Sequence, residues 1–203
     1  MKNKLLIWTN NPGKLKRRSK YFGDMFEIVS LSDCKINLEI EESMDNLKEN
    51  AIKKAKIYSK ISWLLTLSED SGFFIEELWW KPWVAVRRRW WELPNEINDS
   101  NFLDFFKDKV KHLKNTEAYF EFEIAIATPD WKVQTVNSRH NGYLDKDKLD
   151  NIDSHDAGYP LSKCFVNYSD GKTWAENSDK EREEKDKDII EKIKKILIKF
   201  YSD

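Results

Sequence analysis

Glycine is scarce in this chain. Six occur in 203 residues, where about 7 % is usual, so few positions accept a left-handed backbone freely. Cysteine is scarcer still. Cys34 and Cys164 are the only two, and they lie far apart with no metal-ligand spacing. No secretory leader is read ahead of them, so a reducing, cytoplasmic setting is expected. An excess of one charge is missing as well. Lys plus Arg number 35 and Asp plus Glu 36, which removes any global attraction to nucleic acid or to an anionic membrane and leaves phosphate binding to local clusters. No apolar run approaches the roughly 20 residues that span a bilayer, and no internal repeat is visible. The length suits a single domain, residues 1–203, with a sizeable core.

The most informative stretch covers residues 64–91, LLTLSEDSGFFIEELWWKPWVAVRRRWW. Its opening apolar run, residues 64–67, suits a buried strand, and SEDSG reads as that strand's end, carrying two carboxylates, a hydroxyl and a turn glycine. Folds of the α/β class place ligands at such ends. Asp70, with Glu69 beside it, offers the hard oxygen ligands that Mg²⁺ prefers and is placed to act on a water. An Asp-Ser-Gly turn, in which Asp70 bonds only its own backbone, is the competing reading.

Around this stretch the pattern alternates strand and helix. Residues 4–9 read as a first strand, and NNPGK turns it into a helix over 15–22, presenting backbone N–H groups and a lysine to an anion. Thr9, Asn11 and Lys14 are the candidate phosphate contacts there, against a solvated turn before a basic helix. The spacing lacks the glycines of a Walker loop. Residues 26–31 suit a second strand. Leu47, Ala51, Ala55 and Tyr58 then mark one face of a helix over 45–61, capped by Asp45 or Asn46, with Lys54 either a phosphate contact or a solvated lysine. Glu41 and Glu42 precede its N-terminus, where they suit helix electrostatics or a metal. A helix over 100–111, a hairpin of strands 118–128 and 133–138, an irregular segment 142–170 and a charged helix over 178–201 complete the chain. Ser154, His155 and Asp156 are adjacent, so they form no triad.

Four motifs, in order, carry a resemblance. TNNPGK is similar to T-x-N-x-x-K, EESMDNLKENAIKKA to E-E-T-G-x-T-F-x-E-N-A-x-x-K-A, SEDSGFFIEELWWKPWVAVRR to D-D-S-G-L-x-V-x-x-L-G-G-x-P-G-V-x-S-A-R, and DGKTWAE to G-x-T-x-A-E. The chain resembles the inosine triphosphate pyrophosphatase family nearly end to end. The resemblance implies an α/β fold, an elongated mixed sheet with flanking helices and two lobes around a central nucleotide cleft. It implies a homodimer that uses Mg²⁺ to hydrolyse noncanonical purine nucleoside triphosphates to monophosphate and pyrophosphate. Residue by residue, it makes Asp70 the proton acceptor, Glu42 and Asp70 the metal ligands, and Thr9, Asn11, Lys14, Lys54 and Ser71 substrate contacts. Arg88, Tyr159, Leu161, Ser162, Arg182 and Lys187 are further substrate contacts on the same ground. Neither a membrane nor nucleic acid is an expected partner. A non-catalytic nucleotide- or single-strand-binding protein, using KLKRRSK and exposed tryptophans, is the alternative.

The chain departs from the family in two places. The base-binding loop G-F-G-Y-D-P-x-F appears as GYPLSKCF, with Ser162 in place of Asp, and the late Lys and Ser-His-Arg appear as Arg182 and Asp186 to Asp188. Tryptophan is the second departure, with nine in the chain. Trp8, Trp63, Trp79, Trp80, Trp83, Trp91 and Trp131 stand where the pattern or a turn would take glycine, and Trp90 lies beside them. Sharp turns with φ > 0 suit glycine and not tryptophan. One codon, assigned to glycine in the source organism and rendered here as tryptophan, accounts for all seven at once.

Overall fold

The computed structural model describes residues 2–9, 11–40, 46–78, 99–153 and 159–202. Among these, one six-stranded mixed sheet has the order β2-β1-β3-β4-β5-β6. Its strands are β1 Lys4–Trp8, β2 Glu27–Val29, β3 Leu65–Ile75, β4 Glu117–Ala127, β5 Val133–Leu144 and β6 Phe165–Asn167. The helices are α1 Pro12–Phe22, α2 Leu47–Ser62, α3 Asp99–Val110, α4 Lys146–Asp150, α5 Asp179–Lys185 and α6 Lys187–Ser202. None of the described helices is long and apolar enough to cross a membrane.

The chain divides into two compact units. The first takes residues 1–71, 122–138 and 186–203, the second residues 72–121 and 139–185. In the first, Leu5, Ile7, Phe22, Leu67, Ile124, Ile126, Ile193 and Leu197 form a buried cluster. Leu47, Ala51, Ala55 and Tyr58 of α2 are all buried, as their four-four-three spacing predicts, and the two alanines pack on Ala125 and Ala127 of β4. In the second, Phe73, Phe102, Phe106, Leu144, Leu149, Leu161 and Phe165 form the core. Gly142 on β5 lies so close to β6 that a Cβ there would stand 2.0 Å from the Val166 carbonyl oxygen. That position admits glycine alone.

Several boundaries differ from the sequence reading. SEDSG is no turn: β3 runs unbroken from Leu65 to Ile75 and is buried along almost its whole length, on both faces, with Ser71 alone partly exposed. The segment 142–170 holds the end of β5, α4 and β6. The late charged helix is two helices broken at Asp186, whose carboxylate is buried and accepts the Tyr21 hydroxyl at 2.9 Å. A charged residue turned inward interrupts an otherwise solvated run.

Candidate functional site

In the first unit the site grows from the register of β1 on β3. These strands are parallel, and their last paired residues are Trp8 and Ser68. Glu69, Asp70 and Ser71 therefore lie in β3 but past the end of β1. The order β2-β1-β3 makes this the point where successive connections leave β1 in opposite directions, which is where open α/β sheets bind ligands. By sequence SEDSG reads as the end of its own strand. The strand that ends there is the neighbour.

Because β3 is extended through the motif, successive side chains point to opposite faces. Glu69 and Ser71 face α1. Lys14 Nζ donates to Ser71 Oγ at 2.8 Å and stands 3.1 Å from Glu69 Oε1. Arg17 Nη2 is 3.6 Å from the same oxygen, and Arg18 donates to Glu69 Oε2 through Nε, at 3.1 Å, and through Nη2. Burial alone would raise the Glu69 carboxyl, but Lys14, Arg18 and Arg17 outweigh it and hold it well below the usual carboxylate range. Asp70 faces α2 instead. Its Oδ1 lies 3.1 Å from Lys54 Nζ, and its Oδ2 accepts from Asn50 Nδ2 at 3.1 Å. The expectation that Glu69 and Asp70 stand side by side at one metal fails for this reason: adjacent residues of a strand cannot share a face.

Asn11 caps α1, its Oδ1 accepting from Gly13 N at 2.9 Å and Lys14 N at 3.2 Å, and Thr9 Oγ1 accepts from Asn11 N at 3.0 Å. These two side chains shape the loop, and the amides expected to meet an anion are held by the cap. Lys54 is no solvated lysine. It is 1 % exposed, and its ammonium also lies 4.4 Å from the centre of the Trp8 ring, itself stacked on Tyr58. Lys187 is exposed at the start of α6. Glu42 and Arg88 lie outside the described residues, as do Asp45, His155, Trp79, Trp80, Trp83, Trp90 and Trp91.

In the second unit Tyr159 leads into a 3-10 turn, Pro160–Lys163. Leu161 is buried in the apolar cluster, so toward a ligand it offers backbone. Ser162 is buried, its N–H bonded to Tyr159 O and its carbonyl to Ala175 N. Its hydroxyl has no hydrogen-bond partner among the described residues. Arg182 donates to Trp174 O at 3.1 Å and lies over the Trp174 ring at 5.3 Å.

The Ham1 family model matches residues 5–187. The chain belongs to the Ham1 family. Among its relatives, the dITP/XTP pyrophosphatase of Bacillus subtilis is 26% identical over 196 residues, covering 95% of this chain and 96% of the relative. The protein of the same name from Nautilia profundicola is 31% identical over 145 residues, 70% of this chain and 73% of its own. A HAM1 protein from Coxiella burnetii superposes with a TM-score of 0.75 at 20% identity, over 97% of this chain and 99% of that one. The Staphylococcus aureus Ham1 protein gives 0.71 at 21% identity, over 89% and 90%. At these identities the structural likeness is one of fold, and it agrees with the mixed sheet and flanking helices described above.

Within this Ham1 protein, Arg17, Arg18 and Asn50 escaped the sequence reading. The signal was present as spacing. Lys14, Arg17, Arg18 and Tyr21 recur at three, four and seven residues along α1, and Asn50 and Lys54 at four along α2, which places each set on one helix face. In sequence the basic run KLKRRSK offers contacts to phosphate or a single strand, and nothing in it names the buried carboxylate it serves.

Proposed function

We propose that this chain hydrolyses noncanonical purine nucleoside triphosphates to the monophosphate and pyrophosphate with the help of Mg²⁺. The observation that carries the reading is Asp70, a buried carboxylate held by Lys54 and Asn50 past the end of β1, with the Lys14 and Arg17 cations on the other face of the same strand. The names of the relatives support the substrate class.

Asp70 is a hard oxygen donor of the kind Mg²⁺ takes, and Glu42 is the second ligand in this proposal. When bound, the metal supplies charge neutralisation and a more acidic water. Asp70 receives the proton of the attacking water, and Lys54, 3.1 Å from its Oδ1, orients that carboxylate. Lys14 and Lys54, with Thr9, Asn11 and Ser71, hold the phosphates. Tyr159, Leu161, Ser162, Arg182, Lys187 and Arg88 form the substrate contacts on the base side, where the Ser162 hydroxyl replaces a carboxylate with a group that both donates and accepts. A cytoplasmic homodimer completes the proposal. The single-strand-binding alternative loses support because Arg17 and Arg18 of the basic run are turned onto a buried carboxylate.

A screen of nucleoside triphosphates with Mg²⁺, scoring pyrophosphate and phosphate separately, tests the reading. Inosine or xanthosine triphosphate is expected to yield pyrophosphate. Release of single phosphates, or no turnover of any triphosphate, overturns it.

A further inference from the structure

Three cations of α1 converge on Glu69. The three are not equivalent. Arg18 is sealed, its side chain 3 % exposed, and it makes both of its bonds to Oε2. Lys14 and Arg17 are 16 % and 14 % exposed and share Oε1, so they stand at the rim of the cluster, where an anion can reach them. Arg18 is the inner partner of Glu69, and Lys14 and Arg17 are the accessible ones.

Building on the pyrophosphatase reading, we infer that Arg17 is a second polyphosphate ligand beside Lys14, and that Glu69 is the positioning residue that keeps both cations on this side of β3. In the unliganded protein Glu69 Oε1 stands in for a phosphate oxygen. The substrate's phosphate chain takes over that role, and Arg18 stays behind to neutralise the buried carboxylate. Guanidinium suits this task because its planar fork can stay at ion-pair distance from Glu69 while turning an N–H to a phosphate. The geometry also explains why Lys14 is shared between Glu69 and Ser71 rather than extended into solvent.

The test is calorimetric binding of inorganic tripolyphosphate, with and without Mg²⁺, together with KM and kcat for inosine triphosphate. R17Q is expected to weaken tripolyphosphate roughly ten-fold or more, the scale of losing one charge-assisted hydrogen bond, and to raise KM in parallel with a smaller change in kcat. R17K keeps the charge without the fork and is expected to fall between wild type and R17Q. It also serves if R17Q does not fold. Unchanged tripolyphosphate affinity in either folded variant overturns the assignment of Arg17. E69Q separates positioning from charge, since it makes the cluster more positive. Positioning predicts weaker tripolyphosphate binding, and tighter binding overturns the role of Glu69. If wild type cleaves no nucleotide but loses tripolyphosphate on R17Q, the reaction is wrong and the anion site stands. If it releases pyrophosphate and R17Q behaves as wild type, only this inference falls.

Discussion

Lys54 Nζ stands 3.1 Å from Asp70 Oδ1, and the lysine side chain is 1 % exposed. This is a buried ion pair inside the candidate site, so charge and stability are tied together there. From sequence alone, Asp70→Asn removes a base and a ligand at constant volume and leaves the fold intact. The pair adds a cost, because the neutral amide leaves Lys54 buried without its counter-charge. Breaking such a pair from one side typically costs about 3–5 kcal/mol.

Asp70→Asn is therefore expected to lose on the order of 10²-fold or more in turnover and also to unfold at lower denaturant. The double variant Asp70→Asn/Lys54→Met should regain much of the stability and none of the activity. Denaturant titrations beside pyrophosphate release check both parts. A double variant no more stable than the single one would show that the pair is not the source of the cost.

Acid should weaken the first unit through Glu69. Its carboxyl is held below its ordinary value of 4.5 by Lys14, Arg18 and Arg17 against the opposing effect of burial. A depressed folded value means that the unfolded chain binds the proton first. The stabilisation is thus complete above pH 4.5 and is lost progressively as the pH falls below it. Melting temperatures between pH 7 and pH 3 should decline below about 4.5 in wild type and less steeply in E69Q.

Tyr21 donates to the buried Asp186 carboxylate at 2.9 Å, where α6 begins. Burial, then Asp186, hold the phenol well above its ordinary range, so it remains a donor through neutral and mildly alkaline pH. Tyr21→Phe removes that donor and is expected to cost about 1–3 kcal/mol. Hydrogen exchange should show the loss first in the opening turns of α6, and protection unchanged there would argue against the role.

Two tryptophans occupy left-handed backbone, Trp63 at φ 56° where α2 ends and Trp131 at φ 73° in the turn from β4 to β5. Both are exposed, so each gives up little packing on replacement. Relief of about 1–2 kcal/mol of left-handed strain, set against about 0.5–1 of glycine chain entropy, leaves a net gain of up to about 1.5 kcal/mol for Trp63→Gly or Trp131→Gly. Trp8 differs: it is buried in β1 against Tyr58, and its backbone is not left-handed. In the gene, the seven suspect positions are expected to share one codon and Trp174 to use another. Nine uses of the ordinary tryptophan codon would end the glycine reading.

The two thiols should respond differently to alkylation. Burial, with Asp145 next in effect, pushes Cys164 up to about 12, so it should resist labelling at pH 8 until the chain unfolds. Cys34 is half-buried, and its smaller rise leaves it the faster of the two. Peptide mapping after timed labelling reads the order directly.

Local pattern determined much of this protein. Period-two and helical spacing marked most of the strands and helices because a residue's burial repeats with its own element. Asn46 was readable as a cap, and a left-handed turn at Trp63 and Trp131 followed from where glycine would be needed. The motif order was enough to place the chain among its relatives. What the sequence could not contain is which element ends beside which. SEDSG looked like the end of its own strand, whereas the open edge comes from β1 stopping at Trp8 against Ser68. That register decides that Glu69 meets α1 while Asp70 meets α2. It also turns Lys54 and Arg18 from surface cations into buried partners and brings Arg17 to the same carboxylate as Arg18. Such pairings join residues tens of positions apart, and no periodicity within either partner records them. Only the packing of one element on another sets them.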